Sequence, residues 1–198
     1  MNFFDSIETG EAGDPASMGQ PSSSRRPGPD GPDLGRIRLL VLDFDGVLTD
    51  NRVLVSQDGT EAVWCHRGDG WGIARLKERG AVTIMVISTE ANRVVEARCR
   101  KLGLDFIQAC DDKLAALRRV AERMGLGADQ VAYVGNDVND LECLRWVGTP
   151  IVVADAMPEV HEVARLVTAR RGGYGAVREV ADWLIAAHDR RPASGGEG

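Results

Sequence analysis

The chain has 198 residues, 43% of them hydrophobic and 27% charged, with a net charge of −6. That balance fits one folded domain with a proper core and excludes a mostly disordered chain or a multidomain machine. No run approaches the ~18 apolar residues of a membrane span, so no membrane partner is expected. The acidic start, MNFFDSIETG, lacks the basic and then apolar pattern of a secretory signal. The acidic balance also argues against nucleic acid as a partner.

Residues 1–35 are dense in Pro, Gly, Ser and Asp and show no apolar periodicity, which predicts a disordered tail, as does the short stretch 191–198. The folded body is expected over 36–190. Residues 37–42 form an apolar run ending in acids and read as a buried strand. Residues 52–55 and 61–65 flank Ser56-Gln57-Asp58-Gly59, the signature of a β-hairpin. Asp69 is placed to cap a helix over 70–79 with Ile73 and Leu76 on its inner face. Residues 82–87 read as a second buried strand and 92–102 as a helix stopped by Gly103. A third strand follows at 106–109, a helix at 113–124, a fourth strand at 131–134, a helix at 140–146 and a fifth strand at 151–153. Helices near 158–165 and 176–187 close the chain.

Strands alternating with helices predict an α/β fold, with a Rossmann-like parallel sheet covered by helices on both faces. Ligands in such sheets bind beyond the carboxyl ends of the strands. The residues that follow the strands are Asp43 and Asp45, Ser88 and Thr89, Asp111 to Lys113, and Asn136 to Asp140. Two carboxylates at i and i+2, Asp43 and Asp45, are costly together unless a cation or shared proton sits between them. With Asp137 and Asp140 they predict three or four carboxylates around one point, a setting for a hard, oxygen-ligated ion such as Mg²⁺. Ser88 and Lys113 add a hydroxyl and an ammonium suited to phosphate. Each of these residues alone reads as an ordinary loop or helix-cap residue; their common register after strands sets them apart.

The segments Asp43-Phe44-Asp45-Gly46-Val47-Leu48-Thr49-Asp50, Val86-Ile87-Ser88-Thr89, the Lys113 of DDKLAAL, and GNDVNDLECL together resemble the four motifs of the haloacid dehalogenase-like phosphatases. The likeness spans about residues 36–187. It is closest to the small capless branch that holds 3-deoxy-octulosonate 8-phosphate and nonulosonate 9-phosphate phosphatases, and to the C-terminal half of animal acylneuraminate cytidylyltransferases. The intervals between motifs leave room for a hairpin but not for a cap domain.

That resemblance implies an Mg²⁺-dependent phosphatase acting on a small phosphorylated sugar acid. Asp43 would be the nucleophile that becomes an aspartyl-phosphate, and Asp45 the acid and base. Mg²⁺ would be held by Asp43, the Asp45 backbone carbonyl and Asp137. Ser88, Thr89 and Lys113 would bind the phosphoryl group, supported by Asp140 and Asn136. It further implies a homotetramer built through the hairpins, with Arg178 reaching the substrate of a neighbouring subunit.

Two departures leave the sugar open. Ser88-Thr89-Glu90 stands where octulosonate phosphatases often have Ser/Thr-Gly-Arg, and Val63 stands where the branch often has Lys. A natural-product sugar phosphate, or a non-catalytic tetramerisation module, is the alternative. A phospho-receiver domain fits poorly, because its phosphorylated Asp follows the third strand rather than the first. The four cysteines, Cys65, Cys99, Cys110 and Cys143, form no CxxC pair and read as reduced thiols, which with the lack of a secretory signal predicts a cytoplasmic protein.

Overall fold

The computed structural model describes residues 24–28 and 31–190. A six-stranded parallel sheet runs through the body: β1 (Leu39–Leu42), β4 (Thr83–Ile87), β5 (Asp105–Ile107), β6 (Val131–Gly135), β7 (Thr149–Val152) and β8 (Leu166–Val167). Their spatial order is β5-β4-β1-β6-β7-β8. A separate two-stranded hairpin, β2 (Thr49–Val55) and β3 (Glu61–Cys65), follows β1.

The apolar run of β1 is buried at every position, as a central strand with both faces covered must be. Alternation divides it between two cores. Leu40 and Leu42 join Ile84, Val86, Ala132 and Val134 on one face, packed by α1 (Arg67–Glu78), α2 (Arg93–Leu102) and α6 (Ala176–Arg190) through Ile73, Leu76, Val95, Val180 and Leu184. Leu39 and Val41 join Met85, Ile87 and Tyr133 on the other, packed by α3 (Lys113–Arg123), α4 (Leu141–Trp146) and α5 (Pro158–His161) through Leu117, Leu144 and Val160. Each fully buried Leu or Val contributes roughly 1.5–3 kcal/mol, so this double core fixes the register of the strand ends that carry the acids.

Several boundaries move. The α1 helix begins at Arg67 rather than Gly70, because His66 Nδ1 accepts the Gly68 N–H at 3.2 Å and serves as the cap. Asp69 is therefore inside the first turn, fully buried, and accepts the Arg178 N–H at 2.8 Å from α6. The helix expected near 158–165 is only Pro158–His161, and the chain then extends into β8. That two-residue strand is too short for periodicity to reveal. A 3-10 turn, Val138–Asp140, precedes α4. The α2 helix starts at Arg93, one residue later than expected, because Asn92 serves as its cap; the left-handed Gly103 stops it as expected.

The expected disorder of residues 1–35 falls largely outside the described residues, as does that of 191–198. The described pieces pack on the body. The Arg25 carbonyl accepts the Val167 N–H at 2.9 Å, and its guanidinium donates to the Ala164 and His161 carbonyls at 2.8 Å each. Leu34 is buried beneath the 3-10 turn Leu34–Arg36, so the packed body starts before residue 36.

Candidate active site

Four strand ends meet above β1. Asp43, the first residue after β1, is buried and hydrogen-bonded at its own N–H to the Val134 carbonyl. Its Oδ1 accepts the Phe44 N–H at 2.7 Å and the Lys113 ammonium at 2.9 Å. Both contacts fall on Oδ1, so Oδ2 carries neither. Lys113 opens α3, whose first turn is capped by Asp112 accepting the Ala115 N–H at 2.8 Å. The Lys113 side chain is 2% exposed and also touches Asp140 Oδ1 at 2.8 Å.

Asp140 is fully buried and saturated. Its Oδ1 takes the Tyr133 hydroxyl at 2.7 Å as well as Lys113, and its Oδ2 takes the Asn136 N–H at 3.0 Å. Burial, reinforced by the Asp140 charge, raises the Asp43 carboxyl to about 7 despite the opposing pull of Lys113. Burial pulls the Lys113 ammonium down, but Asp43 and Asp140 outweigh it and hold the group above its ordinary value.

The turn after Asp43 orients Asp45. The Thr49 hydroxyl donates to Asp45 Oδ1 at 3.2 Å and accepts the Gly46 and Asn51 N–H groups, also at 3.2 Å. Burial raises the Asp45 carboxyl, the Thr49 hydroxyl lowers it, and Glu90 adds a further upward push. Gly46 has φ +78, and a Cβ there would stand 2.1 Å from Asn136 Nδ2. The position favours glycine on both counts.

These groups line a cleft of about 260 Å³. Asp43, Asp45 and Asn51 form one side, Ser88 and Thr89 the second, and Asn136, Asp137 and Asn139 the third. Ser88 is buried with its hydroxyl accepting the Glu90 N–H at 3.1 Å, while Thr89 is exposed. The larger hollows beside Arg36 and beside Trp71 contain none of these carboxylates.

Asp137 Oδ1 accepts the Val138 N–H at 2.7 Å, and Asn136 Oδ1 is buried without a hydrogen-bond partner. Two carboxylates, Asp43 and Asp137, with an unpartnered amide oxygen beside them make an all-oxygen donor set. Such a set suits Mg²⁺, which binds through one or two carboxylates and keeps several waters. Of the four acids expected around one point, Asp43, Asp45 and Asp137 line the cleft. Asp140 is turned to Lys113 and Tyr133, Asp45 is turned to Thr49, and among the described residues no three His, Cys, Asp or Glu side chains form a metal cluster.

The structure thus brings together Asp43, Asp45, Ser88, Thr89, Lys113, Asn136, Asp137 and Asp140. Within the chain it does not bring Arg178 there. Arg178 Nε pairs with Asp182 at 2.8 Å, and its Cδ lies over Gly72 of α1. Sequence reasoning missed Thr49 and Tyr133. Thr49 lies within the first motif, but its role as a hub requires the folded turn. Tyr133 looks like one more apolar residue of β6.

The sequence profile of the haloacid dehalogenase-like hydrolases matches residues 95–179. The chain is 36% identical over 162 residues to the 3-deoxy-D-manno-octulosonate 8-phosphate phosphatase of Escherichia coli K12, covering 81% of this chain and 86% of that protein. A solved structure described as a HAD family hydrolase from Streptomyces avermitilis is 49% identical, with a TM-score of 0.75 over 78% of this chain and 88% of the other. The Moraxella catarrhalis octulosonate phosphatase, solved with magnesium ion, phosphate ion and KDO, is 32% identical, with a TM-score of 0.76 over 79% and 90%. With the motifs in register and no cap inserted between them, the chain belongs to the haloacid dehalogenase-like phosphatases, in the capless branch that holds the octulosonate 8-phosphate phosphatases.

Proposed function

We propose that the protein hydrolyses the phosphomonoester of a small sugar acid with Mg²⁺ as its metal. The observation that carries this is the buried Lys113 ammonium held between Asp43 and Asp140, beside a cleft that gathers Asp45, Ser88 and Asp137. Asp43 and Asp137, with the Asp45 carbonyl, would hold the Mg²⁺. Bound there, the ion offsets the negative charge of the phosphoryl oxygens. The sugar acid itself comes from the relatives, one of which is solved with KDO.

Asp43 attacks phosphorus with a carboxylate oxygen, and the bond from phosphorus to the sugar oxygen breaks. The departing oxygen takes a proton from Asp45, a half-buried carboxyl whose burial favours the protonated form. Water then gives a proton back to Asp45 and attacks phosphorus, releasing phosphate and restoring Asp43. Ser88 and Thr89 hold phosphoryl oxygens, and Lys113 neutralises charge while Asp140 and Tyr133 fix its position. Positioning and charge neutralisation supply most of the acceleration in phosphoryl transfer.

The exposed apolar hairpin supports a homotetramer: Val53, Leu54, Val55 and Trp64 are each more than half exposed. A lone two-stranded hairpin is marginal in water, and burying it against other copies would stabilise it. Four free thiols suit the reducing cytoplasm, and no helix among the described residues is long and apolar enough to cross a membrane.

The test is phosphate release with Mg²⁺ across sugar-acid phosphates and neutral sugar phosphates, with Asp43→Asn in parallel. Release from an eight- or nine-carbon sugar acid, absent in the variant, is expected. Turnover that persists in Asp43→Asn would sink the mechanism, and preference for neutral sugars would sink the substrate class.

A further inference from the structure

A fifth segment reaches the nucleophile loop, and it comes from the far edge of the sheet. After β8 the chain passes through Gly172, Gly173 and Gly175 before entering α6. Gly172 lies so close to the loop that a Cβ on it would stand 1.8 Å from the Gly46 carbonyl oxygen; one on Gly173 would stand 2.3 Å from Asp50 N. The Gly173 N–H donates to the Val47 carbonyl at 3.1 Å. Gly46 therefore faces Asn136 through its Cα and the glycine loop through its carbonyl.

Side chains from other elements hold this loop at both ends. Asp155, just beyond β7, accepts the Gly172 N–H on Oδ1 at 2.9 Å. Asp69 of α1 accepts the Arg178 N–H at the far end. Neither carboxylate lines the cleft.

We propose that Asp155 is a positioning residue for Asp45. By fixing Gly172 it seats the glycine loop against Gly46 and Val47. Those two residues form the turn through which Thr49 aims the Asp45 carboxylate. The activity readout rests on the phosphatase reading above. A charged acceptor on a backbone N–H is a strong hydrogen bond, and Asn retains an oxygen at the same atom while Ala removes it. A small displacement of a catalytic group is enough to cost a large factor in rate.

The experiment compares Asp155→Ala and Asp155→Asn with the wild-type protein. It measures kcat and KM on a sugar-acid phosphate, kcat/KM on p-nitrophenyl phosphate, thermal melts, and amide exchange at Gly172 and Gly173. Asp155→Ala is expected to lower kcat about tenfold or more with KM within about twofold. Exchange at both glycines should rise by about tenfold, and Asp155→Asn should recover most of the rate. Because p-nitrophenolate departs without a proton, the kcat/KM loss should be smaller on that substrate.

Equal losses on both substrates, losses that track the melting temperature in both variants, or an unchanged kcat would overturn the proposal. If the wild-type protein hydrolyses neither substrate, the phosphatase reading fails on its own. The clamp is then judged by exchange alone, and unchanged protection at Gly172 and Gly173 in Asp155→Ala would overturn it.

Discussion

Asp140 Oδ1 and Lys113 Nζ stand 2.8 Å apart at the base of the cleft, and the Tyr133 hydroxyl meets the same oxygen at 2.7 Å. Asp140 belongs to the turn after β6 and Lys113 to the start of α3, so their pairing ties two strand–helix junctions together. It also leaves one ammonium to serve two buried carboxylates, since Asp43 lies 2.9 Å from the same nitrogen. Removing the ammonium should be costlier than removing the hydroxyl. Lys113→Met leaves Asp43 and Asp140 facing each other without a cation. A loss of about 3–5 kcal/mol is expected for breaking a buried pair this way, read from urea unfolding in the presence of a chelator. Tyr133→Phe removes one hydrogen bond and should lose about 1 kcal/mol. A Lys113→Met loss no larger than that of Tyr133→Phe would contradict the arrangement.

Gly46 carries two demands at one residue. Its φ of +78 is in the left-handed region, which costs an alanine about 1–2 kcal/mol, and a Cβ would meet Asn136 Nδ2 at 2.1 Å. Asn136 is buried but unpartnered at Oδ1, so it is expected to swing aside rather than unfold the loop. The swing moves it toward the proposed metal ligands. Gly46→Ala should therefore lower the melting temperature by only a few degrees while weakening Mg²⁺ binding, measured by titration calorimetry, by about tenfold or more. A stability loss with unchanged Mg²⁺ affinity would mean that Asn136 does not adjoin the metal.

The strand ends were readable because a parallel sheet forces chemistry to one edge. Asp43, Ser88 and Asp137 could be placed by register alone. Hubs were not readable. Thr49 serves Asp45 only because the turn closes on Phe44, whose carbonyl accepts the N–H groups of Val47, Leu48 and Thr49. Asp155 follows the carboxyl end of β7 and so lay where the same rule points. Its partner Gly172 is remote in sequence, however, and no local pattern pairs them. Asp69 misled for a related reason. An acid at a helix start usually caps its own helix, but His66 already occupies that position, which frees Asp69 to bond α6.

That inward turn gives Asp69 a pH signature. Burial raises its carboxyl above the ordinary value, and the Arg178 N–H only partly offsets this. With the folded-state affinity raised, the stabilising contribution is complete below the unfolded carboxylate value. It is lost as pH rises through the folded value. Asp69→Asn keeps an acceptor for the Arg178 N–H and has no charge to bury. The stability difference between Asp69→Asn and wild type should shift in favour of the variant as pH climbs from about 4 toward neutrality. Thermal melts at a series of pH values check this, and a difference that stays flat with pH would show that Asp69 is not desolvated.

The hairpin is the other place where exposure and chemistry disagree. Every residue of β2 from Asn51 to Val55 is exposed, yet the last three are Val53, Leu54 and Val55. Across the ladder Val53 faces Val63 and Leu54 faces Ala62, with Trp64 further along β3. By alternation Leu54 and Ala62 share one face with Trp64, and Val53 shares the other with Val63; exposed apolar surface of this kind marks an interface. Changing Leu54→Asp and Trp64→Glu together puts two charges where other copies would pack. Light scattering should then report the mass of a single chain, whereas the wild-type protein should report a multiple of it. The body's two cores do not include Leu54 or Trp64, so the melting temperature of the dissociated variant should fall only by what assembly contributed, and that contribution should grow with protein concentration in the wild type. A double variant that keeps the wild-type mass would place the interface elsewhere and leave the hairpin's apolar face without a partner.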